Sequence, residues 1–162
     1  MLTLAVSPLR ALTGLSWLVA LRRMLGLFAF AYALTHVTVY VGLDRQPFSW
    51  DFLLEDLTQR PYITLGFTAL VLMIPLAATS TQGMQRRLGR RWKPLHRLVY
   101  VIATLAVVHY WWQARREPFE ALLYIAALIA LLGYRVAHDL VAEVLAQPLG
   151  GIEIDLRSED FG

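Results

Sequence analysis

Four long stretches of this chain carry almost no charge, and that constrains its folding more than any other feature. Met24–Val41 (MLGLFAFAYALTHVTVYV) holds 18 uncharged residues between Arg22-Arg23 and Asp44-Arg45. The second stretch, between Arg60 and Arg86, holds 25, with its apolar body at Tyr62–Ala78. The third lies between Arg97 and Arg115 (LVYVIATLAVVHYWWQA), with Pro94 suited to the first turn of its helix. The fourth, Phe119–Ala137, carries only Glu120 and Arg135, both near its ends. A bilayer core roughly 30 Å thick takes about 20 residues of helix, with a working range of about 17–25. Backbone groups in lipid must be satisfied internally, which leaves helices or closed barrels. The runs lack the period-two alternation of a barrel strand. The expected fold is therefore all-α, a polytopic transmembrane helical bundle with four full spans plus a partial N-terminal helix.

Composition agrees. Of 162 residues, 57% are hydrophobic and 17% charged, and the mean hydropathy is +0.51. Soluble domains carry about 25% charge. Disorder and a nucleic-acid-binding module are excluded, the latter despite a pI of about 9.5. With no cysteine there is no disulfide, thiolate metal site, iron–sulfur cluster or thioether-linked haem. Chemistry in this chain falls to histidine.

The first residues are unusual. Met1–Leu9 is apolar but too short to span, Pro8-Leu9-Arg10 ends it, and its charge follows the apolar stretch, unlike a signal peptide. It reads either as the final turns of a membrane helix that begins earlier or as an apolar terminus in the headgroups. Leu12–Leu21 is then a loop or a short interfacial helix.

Fourteen of the fifteen basic residues are arginine. Arg10, Arg22 and Arg23 precede the first full span, and Arg86, Arg87, Arg90, Arg91, Lys93 and Arg97 surround the link between the second and third. Alternation puts these nine on one side, against Arg45, Arg60, Arg115 and Arg116 on the other. The positive-inside rule makes the basic link 86–97 cytoplasmic. Arg86–Lys93 is also open to a phosphate or flavin contact, although contact with anionic lipid is the plainer role. On the opposite side, Gly42–Arg60 holds an amphipathic stretch around Trp50–Leu57, suited to the membrane surface or to a partner. With Arg115–Glu120 it offers the outer docking loops. After Ala137 the chain turns acidic and contains a helix-breaking Pro148-Leu149-Gly150-Gly151. The division is a membrane domain over 1–138 and an acidic cytoplasmic tail over 139–162.

Ionisable groups inside a membrane point to function by default. His36 lies past the middle of span one, His109 near the far end of span three, and His96 near its start. Both helices point the same way, so His36 and His109 share a depth; His96 lies 13 residues from His109, about 20 Å along a helix. Two facing imidazoles suit haem iron as an axial pair, which leaves no open coordination position. Phe28, Phe30, Tyr32 and Tyr40 near His36, and Tyr110, Trp111 and Trp112 beside His109, suit a porphyrin edge. Taken singly they equally suit an interfacial belt or ordinary packing. His138, next to Asp139, reads as solvated.

RRMLGL (22–27), ALTH (33–36), RPYITLG (60–66), LAATST (76–81), RRWKPLHRLVY (90–100) and HYWW (109–112) occur in order. Over about residues 1–137 the chain resembles the MsrQ (YedZ) family, within the ferric-reductase-like transmembrane superfamily. The resemblance implies a bacterial inner-membrane cytochrome, an electron-transfer subunit that is not an enzyme on its own. It implies haem b, together with FMN, and electrons drawn from the quinone pool or a cytoplasmic flavin reductase. The acceptor it implies is a periplasmic molybdopterin-containing catalytic subunit that reduces methionine sulfoxide in oxidised envelope proteins. The family's three histidines fall on His36, His96 and His109, with His36 and His109 as the metal-ligating pair. Relatives with two stacked haems carry two histidines on each of two helices; span one here has only His36, with Arg22 and Arg23 at the inner position. The family also has one more helix, and the start of another, before the position of Met1.

A rival class is a histidine-containing membrane transporter or ion-conducting bundle. The spans offer it Thr35, Thr38, Thr64, Thr68 and Thr104 but no carboxylate in their middles, whereas such proteins build a polar site at the bilayer midplane.

Overall fold

A computed structural model describes residues 2–15, 17–44, 49–114 and 118–146, and among them the backbone forms helices and no strand. α1 runs Leu2–Thr13 and α2 Leu18–Val39, and α2 widens into a π-helical turn over Tyr40–Asp44. α3 is Trp50–Gln59 and α4 is Pro61–Ala78. The arginine-rich link holds α5 (Gln82–Leu88), a 3₁₀ turn at Gly89–Arg91 and α6 (Trp92–His96). α7 is Leu98–Gln113 and α8 is Pro118–Ala146.

Three of these helices are long and apolar enough to cross a membrane: Ala20–Leu43, Pro61–Ala78 and Pro118–Leu145. The third charge-free run forms α7, which has 16 residues and is about 24 Å long at 1.5 Å per residue. That is shorter than the bilayer core, so four full spans are not met by length. Pro94 lies inside α6, and the turn at Arg97 separates it from α7.

Helix ends depart from the sequence reading where charge or proline was taken as a stop. α1 continues through Pro8 to Thr13, leaving a short link closed by Gly14, whose φ of 71° favours glycine. α2 begins at Leu18 and carries Arg22 and Arg23 inside it. α8 runs past His138 and Asp139 to Ala146, so the acidic segment begins as helix. An exposed Arg135–Asp139 pair, one turn apart at 3.2 Å, lies on that extension. Arg45, Arg115, Arg116 and residues 147–162 of the tail lie outside the described residues.

Lipid is as apolar as leucine, so packing and hydrogen bonds, not water exclusion, hold such helices together. α4 and α7 form the most extensive pair, burying Ala69 and Leu70 on one and Ile102 and Val107 on the other. They run antiparallel: the start of α4 meets the end of α7, and Thr79, just past α4, meets His96 in the short helix that leads into α7. A second seam joins α1, α7 and α8 through Leu4, Val107 and Leu128. α2 packs on α1 and α4, yet from Ala20 to Leu43 none of its residues is buried.

Candidate functional site

α2 and α7 bring His36 and His109 together. Their ring centroids are 6.5 Å apart, with the planes at 74°. An imidazole nitrogen sits about 2.0–2.1 Å from a bound first-row metal ion. Adding roughly 1.1 Å from ring centre to nitrogen puts two rings on opposite sides of one ion about 6.3 Å apart. The observed separation is of that size.

His109 is oriented by α4. Its Nδ1 lies 2.6 Å from the Tyr62 carbonyl oxygen, which can only accept, so Nδ1 carries the proton and Nε2 keeps its lone pair. Metal-binding histidines are held in the same way, with the second ring nitrogen donating to a carbonyl or carboxylate. Gly66 makes the approach possible. Residue 66 is the helical partner of the Tyr62 carbonyl, four residues on, and a Cβ there would lie 2.9 Å from both Cε1 and Nδ1 of His109. A second imidazole at that separation, with Nε2 of His109 not engaged by α4, fits a haem held between the two rings.

The aromatic residues near the pair point largely away from the protein. Phe28 is 67% exposed and Tyr32 76%, and Trp111 and Trp112 are also exposed. Tyr110 instead donates to Glu120 at 3.0 Å and meets Tyr124 edge-on.

His96 does not join the pair. It sits in α6, stacked on Trp92 with centroids 4.1 Å apart, and its Nε2 lies 3.1 Å from the Thr79 hydroxyl. That hydroxyl gives its own hydrogen to the Pro75 carbonyl at 2.6 Å, so it accepts from His96 Nε2. Trp92 Nε1 donates to the Thr79 carbonyl at 3.0 Å. Burial holds His96 below the usual histidine pKa; a hydrogen bond to Thr79 opposes this, and the charge of Arg22 adds to the lowering. Nε2 is thus engaged as a donor. His138 is exposed beside Asp139.

Tyr62, Gly66, Thr79 and Trp92 all lie within the family-like motifs, but sequence reading gave them no chemistry. Asp56 was missed too. It is buried, accepts from Tyr40, and pairs with Arg60 at 3.2 Å. A carboxylate on an amphipathic helix carries no signal that it turns inward. Among the described residues no cluster of three or more metal-ligating side chains is present.

Residues 1–107 match the family model for the ferric reductase like transmembrane component. The chain is 52% identical over 142 residues to the protein-methionine-sulfoxide reductase heme-binding subunit MsrQ of Xanthomonas campestris pv. campestris, covering 88% of this chain and 65% of that one. It is 53% identical over 139 residues to the corresponding subunit of Ralstonia nicotianae, covering 83% and 63%. The Xanthomonas axonopodis pv. citri subunit is 49% identical over 142 residues, again covering 88% and 65%. The chain thus spans slightly less than two thirds of the length of these relatives. No solved structure matches it.

Proposed function

This chain belongs to the ferric-reductase-like transmembrane family, and on that footing we propose that it is the b-type cytochrome subunit of a methionine-sulfoxide reductase system. In this reading it takes electrons from the quinone pool or a cytoplasmic flavin reductase and delivers them to a periplasmic molybdopterin-containing reductase that repairs oxidised envelope proteins. The observation that carries it is the His36/His109 pair, 6.5 Å apart with His109 Nε2 left as an acceptor. The likeness to heme-binding MsrQ subunits supports the cofactor.

His36 and His109 would hold the haem, and when bound it would supply a one-electron carrier. The chain's own part is to orient. The Tyr62 carbonyl fixes the His109 tautomer, Gly66 admits the ring, and α2 presents His36 opposite.

His96 serves the electron-input end, where the resemblance implies a second cofactor site, FMN or haem. Nε2 is already engaged by Thr79 there, which leaves Nδ1 as the nitrogen with a lone pair. The basic link 86–97 and the tail lie on the cytoplasmic side by the positive-inside rule, which puts the histidine pair toward the periplasm and its partner.

The test is the visible spectrum of the purified protein before and after dithionite. A Soret band and a sharp reduced α-band are expected, and their absence after expression with adequate haem rejects the cytochrome. Methionine-sulfoxide reduction by a system reconstituted with the catalytic subunit tests the pathway separately.

A further inference from the structure

α2 carries His36, and its residues between Ala20 and Leu43 are at most half-buried, so its apolar contacts with α1 and α4 are shallow. Polar contacts at one end add to them. Tyr40, one turn beyond His36 at the start of the π-helical turn, donates its hydroxyl hydrogen to Asp56 Oδ2 on α3. The other carboxylate oxygen takes Arg60 Nε at 3.2 Å, and the Asp56 side chain is only 8% exposed. Arg60 is the corner between α3 and α4. Its backbone is extended, as a residue before proline requires, and its carbonyl accepts from Ile63 and Thr64 in the first turn of α4. Two residues later stands Tyr62, whose carbonyl holds His109. The Thr64 hydroxyl also ties α4 back to the Leu57 carbonyl of α3.

We propose that Tyr40, Asp56 and Arg60 form a clamp that sets the separation and mutual tilt of His36 and His109. One carboxylate links the helix bearing the first histidine to the corner that orients the second. The three are positioning residues, acting through the helices that carry the imidazoles. The placing of the pair rests on the structure, and its consequence for haem rests on the cytochrome reading above.

The chain has no cysteine, so two introduced ones can be labelled without background. Thr38→Cys on α2 and Thr68→Cys on α4, both exposed sites, would carry spin labels in the full chain without haem. A narrow distance distribution is expected, broadening in both Tyr40→Phe and Asp56→Asn with helix content unchanged. In the haem-loaded protein, rings near 74° should give a highly anisotropic low-spin ferric signal. Each variant should lower haem affinity about tenfold, the lower end for a group orienting a metal ligand, and convert part of that signal to another form. An unchanged distance distribution in both variants overturns the clamp, whatever the haem does. Broadening in a protein whose wild type takes up no haem leaves the clamp standing and overturns the haem reading instead.

Discussion

The two ends of α4 each hold a histidine, His109 of α7 at the start and His96 of α6 just past the end, and they do so through opposite nitrogens. At one end His109 gives its Nδ1 hydrogen to a backbone carbonyl and keeps Nε2 as an acceptor, beside a second imidazole. At the other, His96 has Nε2 engaged with Thr79, its face covered by Trp92 and a cation nearby. The neighbouring groups occupy Nδ1 of His109 and Nε2 of His96, which leaves a different ring nitrogen outward at each end.

The comparison breaks most readily at the pair itself. His36→Ala and His109→Ala should each abolish the bis-imidazole signal in the reduced-minus-oxidised spectrum, and its survival in either would end the pairing. Gly66→Ala comes next. Alanine is a better helix former than glycine, so the fold should hold by circular dichroism. The added Cβ pushes the His109 ring off the Tyr62 carbonyl, and haem affinity should fall by about 10–100-fold. A titration showing wild-type affinity would remove the Tyr62 contact from the site.

Smaller effects belong to the His96 end. Thr79→Val keeps the shape but removes the hydroxyl between Pro75 and His96, and should lower thermal stability in detergent by about 1 kcal/mol while sparing the His36/His109 spectrum. Loss of that spectrum would show the two ends to be one unit. The smallest effect is the pH dependence. The folded His96 pKa lies below the unfolded value of about 6.5. As pH falls below that value the unfolded chain takes up a proton that the folded chain resists, so this contribution to stability is present above the unfolded pKa and declines as pH drops toward the folded one. His96→Gln should flatten that part of the pH–stability curve; an identical slope would assign it elsewhere.

Much of this was legible in the letters. Unpaired charge is expensive in lipid, so runs without charge mark spans, and α2, α4 and α8 lie where those runs do. The same logic misplaced the ends. Arg22 and Arg23 sit within α2, since long cationic side chains reach out of the apolar layer while their backbone stays helical. Beyond the membrane a helix has no reason to stop at a charge, and α8 continues through Asp139. Proline was over-read at Pro8, because membrane helices tolerate it where neighbouring groups satisfy the freed carbonyl.

The histidine pair was legible because both letters and both helix directions were visible. Its support was not. The group that orients His109 is a main-chain carbonyl, and a carbonyl has no letter. Gly66 signals it only by lacking a side chain, in a run where glycine passes as filler. Asp56 was hidden differently: on an amphipathic helix with acidic neighbours, only the position of Tyr40 decides which carboxylate turns inward.

The Tyr62 carbonyl has a further use. It accepts from an imidazole as well as standing where the amide of residue 66 bonds in the helix, and a carbonyl with two donors vibrates at lower frequency than singly bonded neighbours. An isotopic label at that one carbon would separate its infrared band from the rest of the backbone. Any change in electron demand on His109 alters how strongly its N–H donates, so the band should move with the oxidation state at the pair. On the cytochrome reading, that band would report the oxidation state of a cofactor held by the pair, with only an isotope changed in the protein.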